Sequence, residues 1–421
     1  MARTSRLSGL RNHTIEERRA IVADALGAPD ALAQLVDGGL DEARADRMIE
    51  HVVGQIGIPL GVATNFLVNG REVLVPMATE EPSVVAAASN IARMARERGG
   101  FTTSSTAPIM QAQIHVVEVA DAHGAKLRIL EQRDELMRLA DEQDPRLVEL
   151  GGGVRDLIVR IVERGGRRHL VAHLLVDVRD AMGANAVNTM AEAIAPRVAE
   201  LAGGRPLLRI LTNKADLRLS RARVTIPAEM LGGAEVVESM ILGAQLAEDD
   251  PYRAATHNKG IMNGITAVVL ATGNDTRAVE AGAHSHAARD GHYGSLSHFE
   301  RDAAGDLVAT LELPLAVGLV GGATKSHPAA QAAVAMTEVT TAQQLAELIC
   351  AVGLSQNVAA VRALAAEGIQ RGHMALHARN VAVAAGAEGD EIEAVAARLV
   401  EQRAVRADVA ERELATLRGQ A

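Results

Sequence analysis

The stretch from Ala112 to Leu211 decides the fold. It opens with Ala112-Gln113-Ile114-His115-Val116-Val117-Glu118-Val119, an alternating β-branched run whose residues two apart share a face, as in a half-buried strand. Lys126–Ala140 follows with a helical period and mixed charges. Val154–Val162 and Leu170–Val178 are two apolar, β-rich runs joined by the turn-like Arg164-Gly165-Gly166. Ala184–Leu201 is helical and closes on Gly203-Gly204, and Leu207–Leu211 is a last strand. The order is β-α-β-β-α-β, the split βαβ unit.

That order predicts a ferredoxin-like insertion over residues 110–215. The flanks, 1–109 and 216–375, then form the two parts of one larger body. On the near side, Thr14–Leu26 reads as a helix and Gly54–Gly61 as a glycine-punctuated stretch. A second helix runs from about Pro82 to Arg98, with Glu80 and Glu81 before it and Gly99-Gly100 after it. From about residue 340 the chain is rich in Ala, Leu and Glu and helical. Residues 376–421 read as short helices linked through Gly386–Gly389, with few large apolar side chains, and are expected to bury little and to form a mobile flap.

Composition narrows the function. With 48% hydrophobic and 23% charged residues among 421, wholesale disorder is excluded. Three Phe, two Tyr and no Trp leave little for base stacking, and a net charge of −10 disfavours a phosphate-backbone surface, so nucleic acid is not an expected partner. The single cysteine, Cys350, sits in an apolar helical pattern and reads as core rather than nucleophile. The arginines of the first nineteen residues have no apolar run behind them, so they are not a signal peptide. The most apolar stretches, Gly264–Gly273 and Leu313–Gly322, fall short of the ~20 residues that span a bilayer. A cytoplasmic protein without membrane contact is the expectation.

Several segments could carry chemistry. Asp177-Val178-Arg179-Asp180-Ala181-Met182-Gly183-Ala184-Asn185 lies where a strand ends and a helix begins, which suits a pyrophosphate, although on this segment alone a plain helix entry capped by Asp180 is the favoured reading. No G-x-G-x-x-G follows a strand, so the usual dinucleotide fingerprint is missing. His257-Asn258-Lys259-Gly260-Ile261-Met262-Asn263-Gly264 begins an apolar helix and Gly273-Asn274-Asp275 ends it. A continuous helix would separate Lys259 from Asp275 by roughly 24 Å. If both serve one site, the helix breaks or two subunits each contribute one residue. His284, His286, His292 and His298 cluster as expected loop or surface residues. His373 and His377, at i and i+4, could hold a metal or act as proton donors. Glu80 and Glu81 read as capping charges and Gly318-Leu319-Val320-Gly321-Gly322-Ala323-Thr324 as a glycine-rich turn.

Taken together these segments resemble one family, 3-hydroxy-3-methylglutaryl-coenzyme A reductase, in its soluble bacterial class II form. The resemblance rests on Glu50–Gly61 (EHVVGQIGIPLG), Pro76–Ala88 (PMATEEPSVVAAA), Asp180–Asn185 (DAMGAN), Thr256–Gly264 (THNKGIMNG), Gly273–Asp275 (GND), Gly318–Thr324 (GLVGGAT) and Gly368–Asn380 (GIQRGHMALHARN), in the family's order. His51 stands where the family usually has Asn, and Leu319 and Ala323 replace glycine-motif residues. Both departures bear on coenzyme A or cofactor fit.

The resemblance implies an α+β protein. A large mixed α/β substrate-binding domain would carry the ferredoxin-like unit as its dinucleotide-binding domain, with a mobile helical C-terminal segment. It implies interconversion of hydroxymethylglutaryl-coenzyme A with mevalonate and coenzyme A by two successive hydride transfers. The catalytic set would be Glu81, Lys259, Asp275 and His373, with no metal, and the substrate contacts Arg253, Ser83 and Asn263. Asp275 would hold Lys259 charged and tune Glu81, and His373 would be delivered by tail closure. Cofactor contacts would be Asp144, Asp180, Met182, Gly183, Asn185 and Asn213. An anion at Asp144 favours NAD (NADH) over NADP, because it accepts from a free ribose 2′-hydroxyl and repels a 2′-phosphate. A homodimer with the site at its interface is implied, alone or as the unit of a larger oligomer. The rival reading is a metal-dependent hydrolase or lyase built on His373 and His377.

Overall fold

The computed structural model describes residues 4–28, 32–35, 40–366, 378–402 and 404–419. Ten described strands, β1 (Leu60–Val68), β2 (Arg71–Ala78), β3 (Phe101–Ser105), β4 (Ile109–Val117), β5 (Gly153–Arg164), β6 (Arg167–Asp177), β7 (Arg205–Leu211), β8 (Leu219–Ile226), β9 (Ser297–Arg301) and β10 (Leu307–Pro314), form two sheets in a mixed α+β fold.

The four-stranded sheet is the stretch that opened the sequence reading. Its order is β5-β6-β4-β7 and every neighbouring pair is antiparallel. Alternation does the sorting: Met110, Ala112, Ile114 and Val116 of β4 and Leu170, Ala172, Leu174 and Val176 of β6 are buried in one core. The Ala184–Ala202 helix closes that core with Val187, Met190, Ile194 and Val198. The helix expected over Lys126–Ala140 is two, Ala122–Glu131 and Arg133–Asp141. The chain leaves helical geometry at Gln132, and Arg133 then reaches Asp156 of β5 at 2.8 Å. A short third helix, Pro145–Glu149, was not read from the sequence.

The six-stranded sheet, in order β2-β1-β3-β8-β10-β9, is antiparallel except for one parallel link at Val68 and Phe101. It draws β1 to β3 from before the insertion and β8 to β10 from after it. Asn69 and Gly70, both left-handed at φ 49° and 76°, make the two-residue β1–β2 turn that Asn-Gly favours. The helices Val84–Ala95, Ala234–Asp249, Pro251–Ala271 and Ala342–Ala366 share one core with this sheet. The two longest cross in close contact. A Cβ on Gly264 would lie 2.9 Å from the Gln356 Cβ, and one on Gly353 would lie 2.7 Å from the Ile265 side chain. Gly264 of the THNKGIMNG segment is therefore a packing residue.

The Ala342–Ala366 helix is long and apolar enough to cross a membrane by length and composition, which corrects the sequence reading that no stretch reaches that length. Its most apolar window is 67% buried inside the protein. Cys350, on this helix, is fully buried, and burial pushes its thiol far above the usual range, so it is no nucleophile. After residue 377 the chain is helical at 378–384, Asp390–Glu401 and Ala407–Leu417. These helices bury Ala378, Ala382, Val395, Leu399, Val409 and Leu414 against one another. The expectation that this segment buries little is corrected: alanines at the helix contacts let small side chains close a core of their own.

Candidate active site

β2 runs into the turn Thr79-Glu80-Glu81-Pro82-Ser83, which precedes the Val84–Ala95 helix. The Glu81 amide donates to the Thr79 hydroxyl at 3.1 Å, and Ser83 sits in left-handed backbone at φ 75°. That conformation is costly for a residue with a Cβ and is most often kept at functional sites. The Ser83 hydroxyl makes no hydrogen bond among the described residues, so it is available to a ligand. Glu81 meets one face of the Pro251–Ala271 helix. Its Oε2 accepts from Lys259 Nζ at 2.8 Å and its Oε1 from Asn263 Nδ2 at 3.1 Å. Lys259 and Asn263 are one turn apart, so a single carboxylate spans both. Lys259 stays 62% exposed and Glu81 35%, and the pair therefore faces solvent or a ligand.

Glu81 is shared by two clefts. A large one of ≈ 1800 Å³ is lined by Ser83, by the Gly54–Gly61 stretch and by Arg6, Arg11, Arg18 and Arg19. A smaller one of ≈ 440 Å³ follows the helix from Asn263 to Leu270 and reaches Thr276 and Arg277. Basic walls, a strained turn and a Lys–Glu–Asn triangle make this a place for an anionic ligand with a reacting oxygen.

Two further sequence candidates make no hydrogen bond or ion pair with Glu81 among the described residues. The Pro251–Ala271 helix is unbroken, and the twelve residues that follow Lys259 in it span roughly 18 Å. Asp275 follows as the N-cap of Thr276–Ala287, accepting from the Arg277 and Ala278 amides at 3.0 and 3.1 Å. Its ion pair is with Arg277, at 3.5 Å, and that of Lys259 is with Glu81, so the expected Asp275–Lys259 contact is not made within one chain. Arg253 lies ten residues before Asn263 on the same helix, half-buried, with burial drawing its guanidinium below the usual range. It has no anionic partner among the described residues. His373 and His377 lie outside the described residues. Among the described residues no three His, Cys, Asp or Glu side chains cluster as metal ligands.

The segment around Lys259 faces two ways. His257 and Asn258 are buried, contrary to a wholly exposed first turn. His257 Nε2 lies 2.7 Å from Ser297 Oγ and 3.0 Å from Asn357 Nδ2. Burial, helped by Arg253, lowers its pKa to about 4, so it is neutral at physiological pH. Of the histidine cluster, His292 and His298 are exposed as expected, but His286 is buried on its helix and His284 is held between Glu280 and Tyr293.

The strand-to-helix junction after β6 makes a second site. Asp180 does not cap its own helix. Its carboxylate accepts from the Ala342 amide at 2.8 Å and so caps the Ala342–Ala366 helix, because Gly183, left-handed at φ 101°, takes the N-cap place of Ala184–Ala202. With no capping side chain and no acid in the first turn, the amides of Met182 through Ala186 find no acceptor among the described residues. A row of free amides at the positive end of a 19-residue helix fits a phosphate. The glycine-rich turn is part of this junction: Leu319 donates to the Asp180 carbonyl at 2.8 Å and Val320 bridges to Ala181. Asn185 is exposed at the helix start and Asn213 in the connection after β7. Asp144 caps Pro145–Glu149 through one carboxylate oxygen, 3.0 Å from the Leu147 amide, leaving the other oxygen free. This short helix lies beside the junction, since a Cβ on Gly152 would lie 2.6 Å from Leu147 and 2.7 Å from the Asp177 carbonyl.

Comparison with known proteins gives a consistent result. A family model described as hydroxymethylglutaryl-coenzyme A reductase matches residues 14–378. The chain is 51% identical over 418 residues to a 3-hydroxy-3-methylglutaryl-coenzyme A reductase of Archaeoglobus fulgidus, covering 99% of this chain and 96% of the relative. It is 35% identical over 340 residues to a probable reductase of the same name from Borreliella burgdorferi, covering 79% and 77%. Among solved structures, a reductase of this name from Streptococcus pneumoniae superposes with a TM-score of 0.84 at 40% identity, covering 97% of this chain and 99% of that one. A class II reductase from the same organism, bound to NADPH in open conformations, gives 0.82 at 40% identity over 96% and 100%.

Proposed function

This chain belongs to the hydroxymethylglutaryl-coenzyme A reductase family and reduces 3-hydroxy-3-methylglutaryl-coenzyme A to mevalonate with NAD(P)H, and we propose that Glu81, Lys259, Asp275 and His373 are its catalytic set. The observation that carries this reading is the Lys259–Glu81–Asn263 triangle, whose Glu81 lies where the two clefts meet.

Two reduced nicotinamides, held in turn, would each supply one hydride, the first to the thioester carbon and the second to the aldehyde carbon. Negative charge develops on the same oxygen each time, and the Lys259 ammonium stabilises it. Glu81, within hydrogen-bond reach of Lys259, hands a proton to that oxygen at the aldehyde level. His373 protonates the departing coenzyme A thiolate, carried in by closure of the C-terminal flap, which also excludes water. Arg253, Ser83 and Asn263 hold the substrate's carboxylate and oxygens. Arg253 suits this role because it is half-buried and has no anionic partner among the described residues.

The four-stranded unit is read as a ferredoxin-like dinucleotide domain. Its pyrophosphate site is the row of amides from Met182 to Ala186, with Asp180, Gly183, Asn185 and Asn213 around it. The free oxygen of Asp144 accepts from a ribose 2′-hydroxyl, hence a preference for NADH. The Streptococcus pneumoniae relative was solved with NADPH, so this preference rests on Asp144 alone. Comparing turnover with NADH and NADPH tests it, and faster turnover with NADPH would overturn it. Of the domain limits, 110–215 for the inserted unit and 376–421 for the flap are kept in this reading, as is the cytoplasmic location.

We infer a homodimer whose sites lie at the interface, because neither Arg253 nor Asp275 makes a hydrogen bond or ion pair with Glu81 or Lys259 among the described residues. Mixing inactive Glu81→Ala and Asp275→Ala chains tests this. If each site takes its residues from two subunits, half the dimers are mixed and each has one intact site, restoring about a quarter of full activity. If every site were built within one chain, mixing would restore none.

A further inference from the structure

Arg218, in the connection between β7 and β8, is buried, and no carboxylate lies within hydrogen-bond reach of its guanidinium among the described residues. It instead donates to three carbonyl oxygens. Nη1 reaches Ala181 O and Met182 O, both at 3.1 Å, and Nη2 reaches Val317 O at 2.6 Å. Burial lowers its pKa to about 10, with Asp177 and Asp180 opposing the shift, so it remains a cation at neutral pH. Two of the three carbonyls belong to the junction after β6, and the third, of Val317, immediately precedes the glycine-rich turn.

A trans peptide points its N–H opposite to its C=O. Because the Ala181 and Met182 carbonyls both face Arg218, the Met182 and Gly183 amides face the other way, and neither meets an acceptor among the described residues. They continue the row formed by Ala184, Asn185 and Ala186. The chain at Gly318 also packs on the junction. Gly318 packs so tightly on it that a Cβ there would lie 2.4 Å from the Met182 nitrogen. We propose that Arg218 is a positioning residue for the dinucleotide, holding the Ala181 and Met182 carbonyls so that the Met182 and Gly183 amides are presented to its phosphates. This rests on the reading that the pyrophosphate lies on this row of amides.

The test measures dissociation constants of the intact enzyme for NADH, for ADP-ribose, which keeps the pyrophosphate and lacks the nicotinamide, and for hydroxymethylglutaryl-coenzyme A. Arg218→Met is expected to weaken NADH and ADP-ribose alike by about tenfold or more, the equivalent of one or two lost amide contacts. Coenzyme A thioester binding should stay within about twofold, and in turnover the KM for NADH should rise with kcat little changed. Arg218→Lys should fall between wild type and Arg218→Met. If Arg218→Met does not fold, Arg218→Lys and Gly318→Ala carry the test, the latter displacing the Met182 amide while keeping the cation. A folded Arg218 variant with unchanged ADP-ribose binding would overturn the proposal, as would equal weakening of the thioester. Asn185→Ala separates the two layers. If it leaves ADP-ribose binding unchanged, the site reading falls and the role of Arg218 falls with it. If it weakens ADP-ribose while the Arg218 variants do not, only the role of Arg218 falls.

Discussion

Replacing Lys259 by methionine removes the ammonium and keeps most of the side chain's volume. The structure separates its effect on folding from its effect on rate. The Nζ lies 2.8 Å from Glu81, but the lysine is 62% exposed, and exposed ion pairs contribute only about 0.2–1 kcal/mol. Stability measured by urea unfolding should therefore fall by less than about 1 kcal/mol. In the proposed reacting complex the same ammonium would face a developing oxyanion, and removing one such donor typically costs about 2.7–4 kcal/mol of transition-state stabilisation. The kcat for thioester reduction should then drop by about 10²–10³, with the KM for NADH nearly unchanged. Lys259→Arg should recover part of the loss, because it keeps the charge and misplaces the donor. The Lys259→Met/Glu81→Gln double variant should lose less than the sum of the two single losses, since both act on one oxygen. A kcat within tenfold of wild type would refute the role given to Lys259. So would a stability loss above about 3 kcal/mol with parallel inactivation, which would make the lysine a folding residue.

Protonation of His257 should couple folding to pH. Its folded pKa is near 4 against an ordinary 6.5, so the unfolded chain takes up the proton first. Stability is full above about pH 6.5 and falls as pH drops towards 4, by roughly 3 kcal/mol; a His257 ring titrating near 6.5 by NMR would contradict this. Gly264→Ala brings a Cβ within 2.9 Å of Gln356 and 3.0 Å of the Val352 carbonyl and should cost about 1–3 kcal/mol by urea unfolding. An unchanged midpoint would mean the two long helices part easily. Asp144→Ala should shift the NADH-to-NADPH ratio of kcat/KM towards NADPH by about tenfold and cost about 1 kcal/mol through the lost cap. An unmoved ratio would remove Asp144 from cofactor choice.

The four-stranded unit was legible because β5 and β6 form a local hairpin and β4 buries alternate residues. Period-two alternation in β4 and the Gly165-Gly166 turn between β5 and β6 are both local signals. The six-stranded sheet was not, since β3 pairs with β8 across more than a hundred residues and no local pattern announces such a partner. Within it, the Asn69-Gly70 hairpin signal was present and went unread. At the candidate site, Glu81, Lys259 and Asn263 were named from segments that individually had ordinary explanations as caps and first-turn residues. Only the meeting of the β2 turn with a helix almost two hundred residues later makes them a group. Arg218 left no signal at all, because a lone arginine between two strands looks the same whether it faces water or three buried carbonyls. His257 was passed over for its neighbour Lys259 because burial on the opposite face of one helix appears only in the packed structure.

The most direct measurement is stoichiometry. A known amount of hydroxymethylglutaryl-coenzyme A is converted to completion while nicotinamide absorbance and free coenzyme A thiol are followed together. The expected result is two nicotinamides oxidised for each thiol released. Thiol release without nicotinamide oxidation would contradict reduction at the Glu81–Lys259 site and point to hydrolysis of the thioester.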